Sequence, residues 1–160
     1  MKLIMLDFSK KSTFENECVV EYTTKYEPMI ISCKMKYNPE HLVKHKEYDA
    51  DVKFWSFCWW SQRDATKHSC HISNYCLPYS FIASKIEEIV EINLDCKKPY
   101  VKYRTTLAGQ QFEMTLNYGE REEDDQPIKD TFQVGDWICG LFKAQIKIQK
   151  ERKRKVKEQC

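Results

Sequence analysis

The stretch DVKFWSFCWW, residues 51–60, decides how the fold is read, because it holds three of the four tryptophans of this 160-residue chain. Successive side chains along a strand point to opposite faces. One face then carries Val52, Phe54, Cys58 and Trp60, and the other carries Trp55, Phe57 and Trp59. The stretch therefore predicts a strand that is apolar on both sides, which is either covered on both faces or leaves one face for a partner.

Alternation of polar and apolar residues on both sides of this stretch predicts further strands. Residues 17–26 and 29–37 are typical of two half-buried strands, and Glu27 with Pro28 indicates a tight turn or a bend between them. Residues 100–106 and 111–118 alternate on either side of the short segment LAGQ and predict a hairpin. Strands therefore dominate the predicted fold.

One segment, PYSFIASKIEEIVEIN at residues 78–93, has the spacing of a helix instead. Its apolar residues at i, i+4, i+7 and i+8 are Ile82, Ile86, Ile89 and Val90. Pro78 and Ser80 are residues that commonly begin a helix. We expect one amphipathic helix here, covering one face of the tryptophan-rich strand.

The end of the chain predicts a last strand over residues 142–149, with a bulge or bend at Gly140. The order of three main strands, a helix and further strands resembles that of the oligonucleotide/oligosaccharide-binding (OB) barrel. Residues 132–142, FQVGDWICGLF, resemble the Val-Gly-Asp turn-and-strand phrase of OB, SH3 and Tudor barrels. The predicted fold class is mainly β (α+β), a small antiparallel OB-like β-barrel with one amphipathic helix after the third main strand.

Length and composition predict one domain with a basic end. Four glycines and five prolines leave little room for linkers, so residues 1–149 are expected to form a single β-barrel-type domain and residues 150–160 a basic C-terminal tail. The tail contains Arg152, Lys153, Arg154 and Lys155 in succession, which resembles a nuclear-import signal. We expect the nucleus, or otherwise the cytoplasm, as the location, and no membrane; the alternative for the tail is a solvated end or a phosphate contact.

Eight cysteines without a secretion signal favour free thiols or a metal site over disulfides. The candidate zinc ligands are Cys58, His68, Cys70, His71 and Cys76. Their H-x-C-H-x4-C spacing matches no standard zinc pairing, and a polar loop is the alternative. We therefore expect no cofactor, with zinc as the alternative.

Enzyme signatures are missing from the sequence: it contains no G-x-S-x-G, P-loop, G-x-G-x-x-G or H-E-x-x-H motif. We therefore expect a protein without enzymatic activity. A small zinc- or cysteine-dependent enzyme remains the alternative, because folding could bring a cysteine and a histidine together.

Aromatic and basic residues together predict a binding surface. Its candidate residues are Trp55, Phe57, Trp59, Trp137, Lys34, Lys36, Lys53, Lys102 and Arg104. Such a surface could anchor a protein or stack the bases of single-stranded nucleic acid. Residues 143–160 carry a net charge of +6 while the whole chain carries +2, so the remainder is acidic, which favours protein. We predict a nuclear adaptor that docks a protein within a nucleic-acid-associated complex of the chromatin, telomere or small-RNA type; the alternative is direct binding of single-stranded DNA or RNA.

Overall fold

The regular structure of the chain is all strand in the part that a computed structural model describes. The described residues are 1–9, 17–36, 42–61, 69–72, 79–122, 125–128 and 132–149. Their ten strands are β1 (Lys2–Ser9), β2 (Glu17–Thr24), β3 (Ile30–Lys36), β4 (Glu47–Ser61), β5 (Ser69–Ile72), β6 (Tyr79–Lys85), β7 (Glu88–Asn93), β8 (Tyr100–Leu107), β9 (Gln110–Asn117) and β10 (Trp137–Ile148). The mainly β prediction is confirmed.

The predicted helix is wrong: the described part of residues 78–93 forms strands β6 and β7. The inward positions of β6 are Ser80, Ile82 and Ser84, and the two serines conceal the alternation that marks a strand. The Ser84 hydroxyl shares a 2.9 Å hydrogen bond with the buried Tyr103 hydroxyl, whereas the buried Ser80 hydroxyl has no hydrogen-bond partner among the described residues. Among the described residues no helix covers the tryptophan-rich strand, and only its inward side, with Val52, Phe54 and Ser56, is buried.

Strands β4 and β10 form the central antiparallel pair, which extends over residues 50–61 of β4 and 138–148 of β10. The second edge of β10 pairs with β6, which in turn pairs with β5. The second edge of β4 pairs with two different strands along its length. Residues 47–49 pair with β1, followed by β2 and β3, whereas residues 53–55 pair in parallel with β9, followed by β8 and β7.

A turn at residues 134–136 holds the joint between β6 and β7. The Gly135 N–H donates to the Ile86 carbonyl, and the Ile86 N–H donates to the Asp136 carbonyl, each at 2.8 Å. Up to this joint the chain pairs with β10. After it the chain pairs with β8, starting with the Glu87 N–H, which donates to the Arg104 carbonyl at 3.0 Å. The Val-Gly-Asp turn followed by a strand is thus present. The hydrogen-bonded sheet does not close among the described residues, so the OB-like closed barrel is not confirmed.

The predicted hairpins are confirmed, since β2 pairs with β3 and β8 with β9 in antiparallel register. Ala108 and Gly109 connect β8 to β9, and their φ angles of 49° and 68° are both positive. Positive φ at both central residues is the requirement of a type I′ turn, whose twist matches that of the flanking strands.

Strand β1 was missed because a register shift between Met5 and Asp7 breaks its apolar alternation.

The core is one apolar cluster with buried residues from β1, β2, β3, β4, β6, β8, β9 and β10. Its largest fully buried aromatic side chains are Tyr22, Phe54, Tyr103, Phe112 and Phe142. The Phe54 and Phe112 rings lie 5.5 Å apart across the β4–β9 pair. Desolvation raises the pKa of the Tyr103 phenol far above its ordinary value, so this group stays neutral and acts structurally.

Candidate binding surface

A bulge at Phe57 divides strand β4 into two halves. Even-numbered residues point to the core before the bulge, and odd-numbered residues do so after it. Ser56 pairs with Phe142 and Cys58 pairs with Leu141, which leaves Phe57 without an opposite residue on β10. An extra residue in one strand shifts the alternation by one position. Trp55 before the bulge and Cys58 after it therefore point to the same side, away from the core.

Trp59 consequently points toward the core, and its predicted placement beside Trp55 is wrong. Its ring contacts Tyr118 at 5.3 Å, edge to face, and Phe132 at 5.5 Å. Its indole Nε1–H donates to the Asn117 carbonyl at 3.1 Å. These partners satisfy both the apolar ring and its polar edge, so Trp59 is a packing residue.

The outward residues of β4, β10 and β6 form one apolar surface, here called the aromatic face. It consists of Trp55, Phe57 and Trp60 on β4, Leu141 on β10, and Tyr79 and Phe81 on β6. Ring contacts across the strands connect Phe57 to Tyr79 at 4.9 Å and Trp60 to Phe81 at 5.9 Å. Trp55, Phe57 and Trp60 are nevertheless 45%, 67% and 47% exposed. An exposed apolar patch of this kind is typical of an interaction site.

The aromatic face also carries two cysteines of different accessibility. Cys58 is exposed beside Phe57, whereas Cys139, which pairs with Trp60, is buried. Burial raises the pKa of the Cys139 thiol, so this thiol is protonated and shielded. The Cys58 thiol is accordingly the accessible one of the two at this surface.

A cleft lies beside Trp55, along the seam between β3 and the second half of β10; we call it the seam cleft. Cα atoms of the two strands come within 8 Å, yet no ladder joins them among the described residues. The cleft has a volume of about 520 Å³. Its apolar floor is formed by Tyr22, Cys33, Ile146 and Ile148. Trp55, Lys34 and Lys143 line its more exposed part.

The other predicted cations lie next to Trp55 on the same outer side of the sheet, along β4, β9, β8 and β7, in a region here called the charge ladder. The cross-strand register places Lys53, Glu113, Arg104 and Glu88 in one row of alternating charge. The ion pairs are Lys53–Glu113 at 3.7 Å, Arg104–Glu88 at 3.0 Å and Lys102–Glu91 at 3.6 Å. Because each cation has a carboxylate neighbour, this surface is not a basic groove for phosphates.

Two predicted residues have less defined roles. Trp137 is half-buried at the end of β10, opposite Lys85 and on the same side as the aromatic face. Lys36 ends β3, and only its backbone is described. The tail residues Arg152, Lys153, Arg154 and Lys155 lie outside the described residues.

The candidate zinc ligands are spread over the sheet or lie outside the described part. Cys58 and His71 are in the same cross-strand row, but β10 and β6 stand between them. Three strand spacings amount to roughly 14 Å, too far for two ligands of one zinc ion. Of Cys70 and His71 only the backbone, in β5, is described, and His68 and Cys76 fall outside the described residues. No group of three metal-ligating side chains occurs among those that are described.

Comparison with known proteins gives no match: no family model, no curated protein and no solved structure aligns significantly with the chain. The described residues form no helix long and apolar enough to cross a membrane. Functional inference for this protein therefore depends on its own surfaces.

Proposed function

We propose that this protein is a nonenzymatic binding module that docks a protein partner through the aromatic face. The observation that carries the proposal is the exposure of Trp55, Phe57 and Trp60 on β4, beside apolar residues of the paired strands β10 and β6. Aromatic anchors dominate the binding energy of many protein interfaces. Covering rings that are half exposed contributes on the order of 2 kcal/mol for each.

A rigid support makes these side chains suitable as anchors. β4 and β10 pair over almost their whole length, and ring contacts to Tyr79 and Phe81 restrict Phe57 and Trp60 before any partner binds. Restricted side chains lose less conformational entropy on association. The aromatic face therefore combines apolar area with preorganisation.

The wider setting of the proposed module is a nucleic-acid-associated complex in the nucleus. Support for it comes from the sequence Arg152-Lys153-Arg154-Lys155, a composition typical of nuclear-import signals and phosphate contacts. The same proposal includes an OB-like barrel as the fold of the module. The covalent joint at Ile86 and Glu87 supports it, because it carries the chain from the β10 side to the β8 side of the sheet.

A second candidate function is the binding of single-stranded DNA or RNA. The proximity of Lys34 and Lys143 to Trp55 favours it, since stacking platforms beside cations hold single strands. The balanced charge ladder argues against it, because it removes Lys53, Lys102 and Arg104 from a basic groove. Binding of labelled oligo(dT) and oligo(U) across a salt series separates the two candidates: a steep loss with salt, together with tryptophan quenching, would favour nucleic acid.

Partner capture by the tagged full chain tests the proposal. Phe57→Ser and Trp60→Ser should each lose the proteins that the parent chain captures, while their thermal unfolding stays close to that of the parent. Tyr26→Ser is the matched control, because Tyr26 is 75% exposed in the turn between β2 and β3, away from the aromatic face. Equal capture by all three variants would refute docking at the aromatic face.

Cys58 offers an independent footprint of the same surface. Peptide-resolved alkylation should modify Cys58 readily in the free chain and Cys139 slowly, since only the first is exposed. A docked partner should protect Cys58 from alkylation. Unchanged Cys58 labelling in a purified complex would place the partner elsewhere.

A further inference from the structure

We propose that the protein partner covers the aromatic face with an apolar centre that is flanked by carboxylates at two ends, roughly 20 Å apart. This inference rests on the proposed function, because it specifies the chemistry of the partner that docks there. Two observations support it. The strands that build the aromatic face carry an excess of positive charge, and two lysines without ion pairs among the described residues stand at opposite ends of its apolar side chains.

Positive charge is concentrated in the part of the chain that builds this face. Residues 52–86, which include the later part of β4, β5 and β6, contain four Lys/Arg and one Asp. Residues 137–149, which include β10, contain two lysines and no acidic residue. Residues 87–136, which include β7, β8 and β9, contain twelve Asp/Glu against six Lys/Arg. The aromatic face therefore belongs to a basic part of the chain, next to an acidic one.

Lys143 stands at one end of the aromatic face. It is an exposed residue of β10 and lies in one cross-strand row between Trp55 and Tyr79. No carboxylate of the described residues forms an ion pair with it, whereas Lys53 and Lys102 in the charge ladder each have one. An unpaired cation beside exposed rings favours a partner that brings a carboxylate to this point.

Lys85 stands at the other end. It is exposed at the end of β6 and has no ion pair in the described part of the chain. The carboxylates closest to it in sequence and register, those of Glu87 and Asp136, accept hydrogen bonds from the Thr106 hydroxyl and the Gln133 N–H instead. Lys85 pairs with position 137 of β10, so six strand residues, or roughly 20 Å, separate it from the row of Lys143.

The outward side chains between the two lysines are apolar. Leu141 and Phe81 lie in the row next to that of Lys143, and the half-exposed Trp60 lies in the following one. None of the residues that form the aromatic face is acidic. A complementary partner therefore needs apolar side chains at its centre and carboxylates at two ends.

Other occupants fit this arrangement less well. Nucleic acid carries phosphates along its whole length, whereas the unpaired lysines stand only at the two ends of an apolar centre. Residues 150–160 of the chain itself are basic and would be repelled. A second copy in a two-fold arrangement would bring an equal basic face, and like charges oppose that contact.

Ionic quenchers of tryptophan fluorescence test the charge of the free face. Trp55 and Trp60 are exposed on it, so iodide should quench the full chain more strongly than caesium, each relative to free tryptophan. Lys143→Glu should lower this ratio by about twofold. Lys98→Glu is the control, because Lys98 is an exposed lysine between β7 and β8. Equal or stronger quenching by caesium would overturn the inference.

A defined peptide tests the chemistry of the partner. The probe has a central Leu-Phe-Ser-Leu-Phe-Ser segment, roughly 20 Å long when extended, between two pairs of glutamates. Its control has lysines in place of the glutamates. Calorimetric titration of the full chain should show at least about tenfold tighter binding of the glutamate peptide. Equal affinity for both peptides, or binding of neither, would contradict the inference.

Charge reversal places the peptide on the aromatic face. Lys143→Glu and Lys85→Glu should each weaken binding of the glutamate peptide by about fivefold and strengthen binding of the lysine peptide. Both lysines are exposed, so thermal unfolding should stay close to that of the parent chain. Lys98→Glu, which changes the net charge equally, should leave both affinities unchanged. The same loss in all three variants would refute the site.

Partner capture separates this inference from the proposed function. If capture requires Phe57 but is unaffected by Lys143→Glu and Lys85→Glu, the inference fails and docking at the aromatic face stands. Normal peptide selectivity with capture that does not require Phe57 would refute docking of the captured protein there and retain the preference for acidic, apolar segments. Two results would assign another occupant and overturn the inference: displacement of the peptide by oligo(dT), or a low-salt oligomer in sedimentation that Lys143→Glu dissociates.

Discussion

The aromatic face and the charge ladder are two neighbouring regions on one outer side of the sheet, and strand β4 contributes to both. In the charge ladder, Lys53 and Arg104 each have a carboxylate neighbour within the protein. In the aromatic face, Phe57 remains 67% exposed although it contacts Tyr79. The comparison teaches that a surface whose groups satisfy one another has little to offer a partner, whereas the aromatic face retains apolar area that only a partner can cover.

The close approach of β10 to β4 beneath the aromatic face should be the most sensitive point. A Cβ atom on Gly140 would lie 2.9 Å from the Trp59 Cα and closer still to the Cys58 carbonyl oxygen. We expect Gly140→Ala to lower the free energy of unfolding by about 3 kcal/mol, because backbone atoms must move. Urea denaturation measures the loss.

Gly119→Asn is the control for that experiment. Gly119 has open space around its Cβ position, and its φ of 76° is a left-handed conformation that strains asparagine less than most other side chains. The unfolding midpoint of Gly119→Asn should therefore fall by less than that of Gly140→Ala. A similar midpoint for Gly140→Ala would show that the two central strands can separate without cost.

Trp59 and Trp60 should respond very differently to truncation, although they are adjacent. Trp59→Ala removes a ring that packs on Tyr118 and Phe132 and should cost about 2–3 kcal/mol. Trp60→Ala should cost less than about 1 kcal/mol, because that ring is half exposed. Thermal unfolding of both variants checks the facing that the Phe57 bulge assigns; equal losses would contradict it.

The charge ladder should tolerate reversal of a central charge. Arg104→Glu places like charges beside Glu88 and Glu113, and we expect a loss of about 1 kcal/mol or less, since these pairs are exposed and screened. Partner capture should be unchanged. Loss of capture with an intact fold would show that the partner docks on the charge ladder and not on the aromatic face.

The smallest expected effect concerns the exposed ion pairs that connect β1 to β4. The 2.6 Å contact with Lys2 lowers the pKa of Asp49, chiefly through the hydrogen bond from the ammonium group. A carboxyl whose pKa is lower in the folded state stabilises the fold above its unfolded pKa of about 3.9. That contribution is lost as the pH falls through the folded pKa.

Asp49→Asn tests this dependence. The variant should unfold slightly earlier than the parent chain at neutral pH, and the difference should disappear as the pH drops below the ordinary range of an aspartate. Urea midpoints across a pH series provide the measurement. A difference that persists at low pH would assign the effect of the substitution to packing rather than to charge.

Much of the strand content could be predicted from local pattern. Strands β2, β3, β8, β9 and β10 alternate clearly, because one face of each meets the core. β6 and β7 were mistaken for a helix because buried Ser80 and Ser84 interrupt the apolar alternation. β1 was missed because the register shift after Met5 interrupts the apolar alternation of that strand.

Part of the candidate site could also be predicted, and part could not. Alternation placed Trp55 and Phe57 on one face of the strand, as core or as a candidate binding surface, and the structure leaves both exposed. Tyr79, Phe81 and Leu141 were missed. Tyr79 and Phe81 lie on either side of Ser80, and reading that segment as a strand would have placed them on one face.

The sequence by itself determined that the protein is built from strands and that residues 51–60 hold an apolar strand, because alternation and β-branched or aromatic composition are local properties. Only the tertiary structure decided which tryptophans face outward. The pairing of β4 with β10, some eighty residues further along the chain, places one extra residue at Phe57. Since side chains alternate with a period of two, that single residue turns Trp59 into the core and Trp60 out toward solvent.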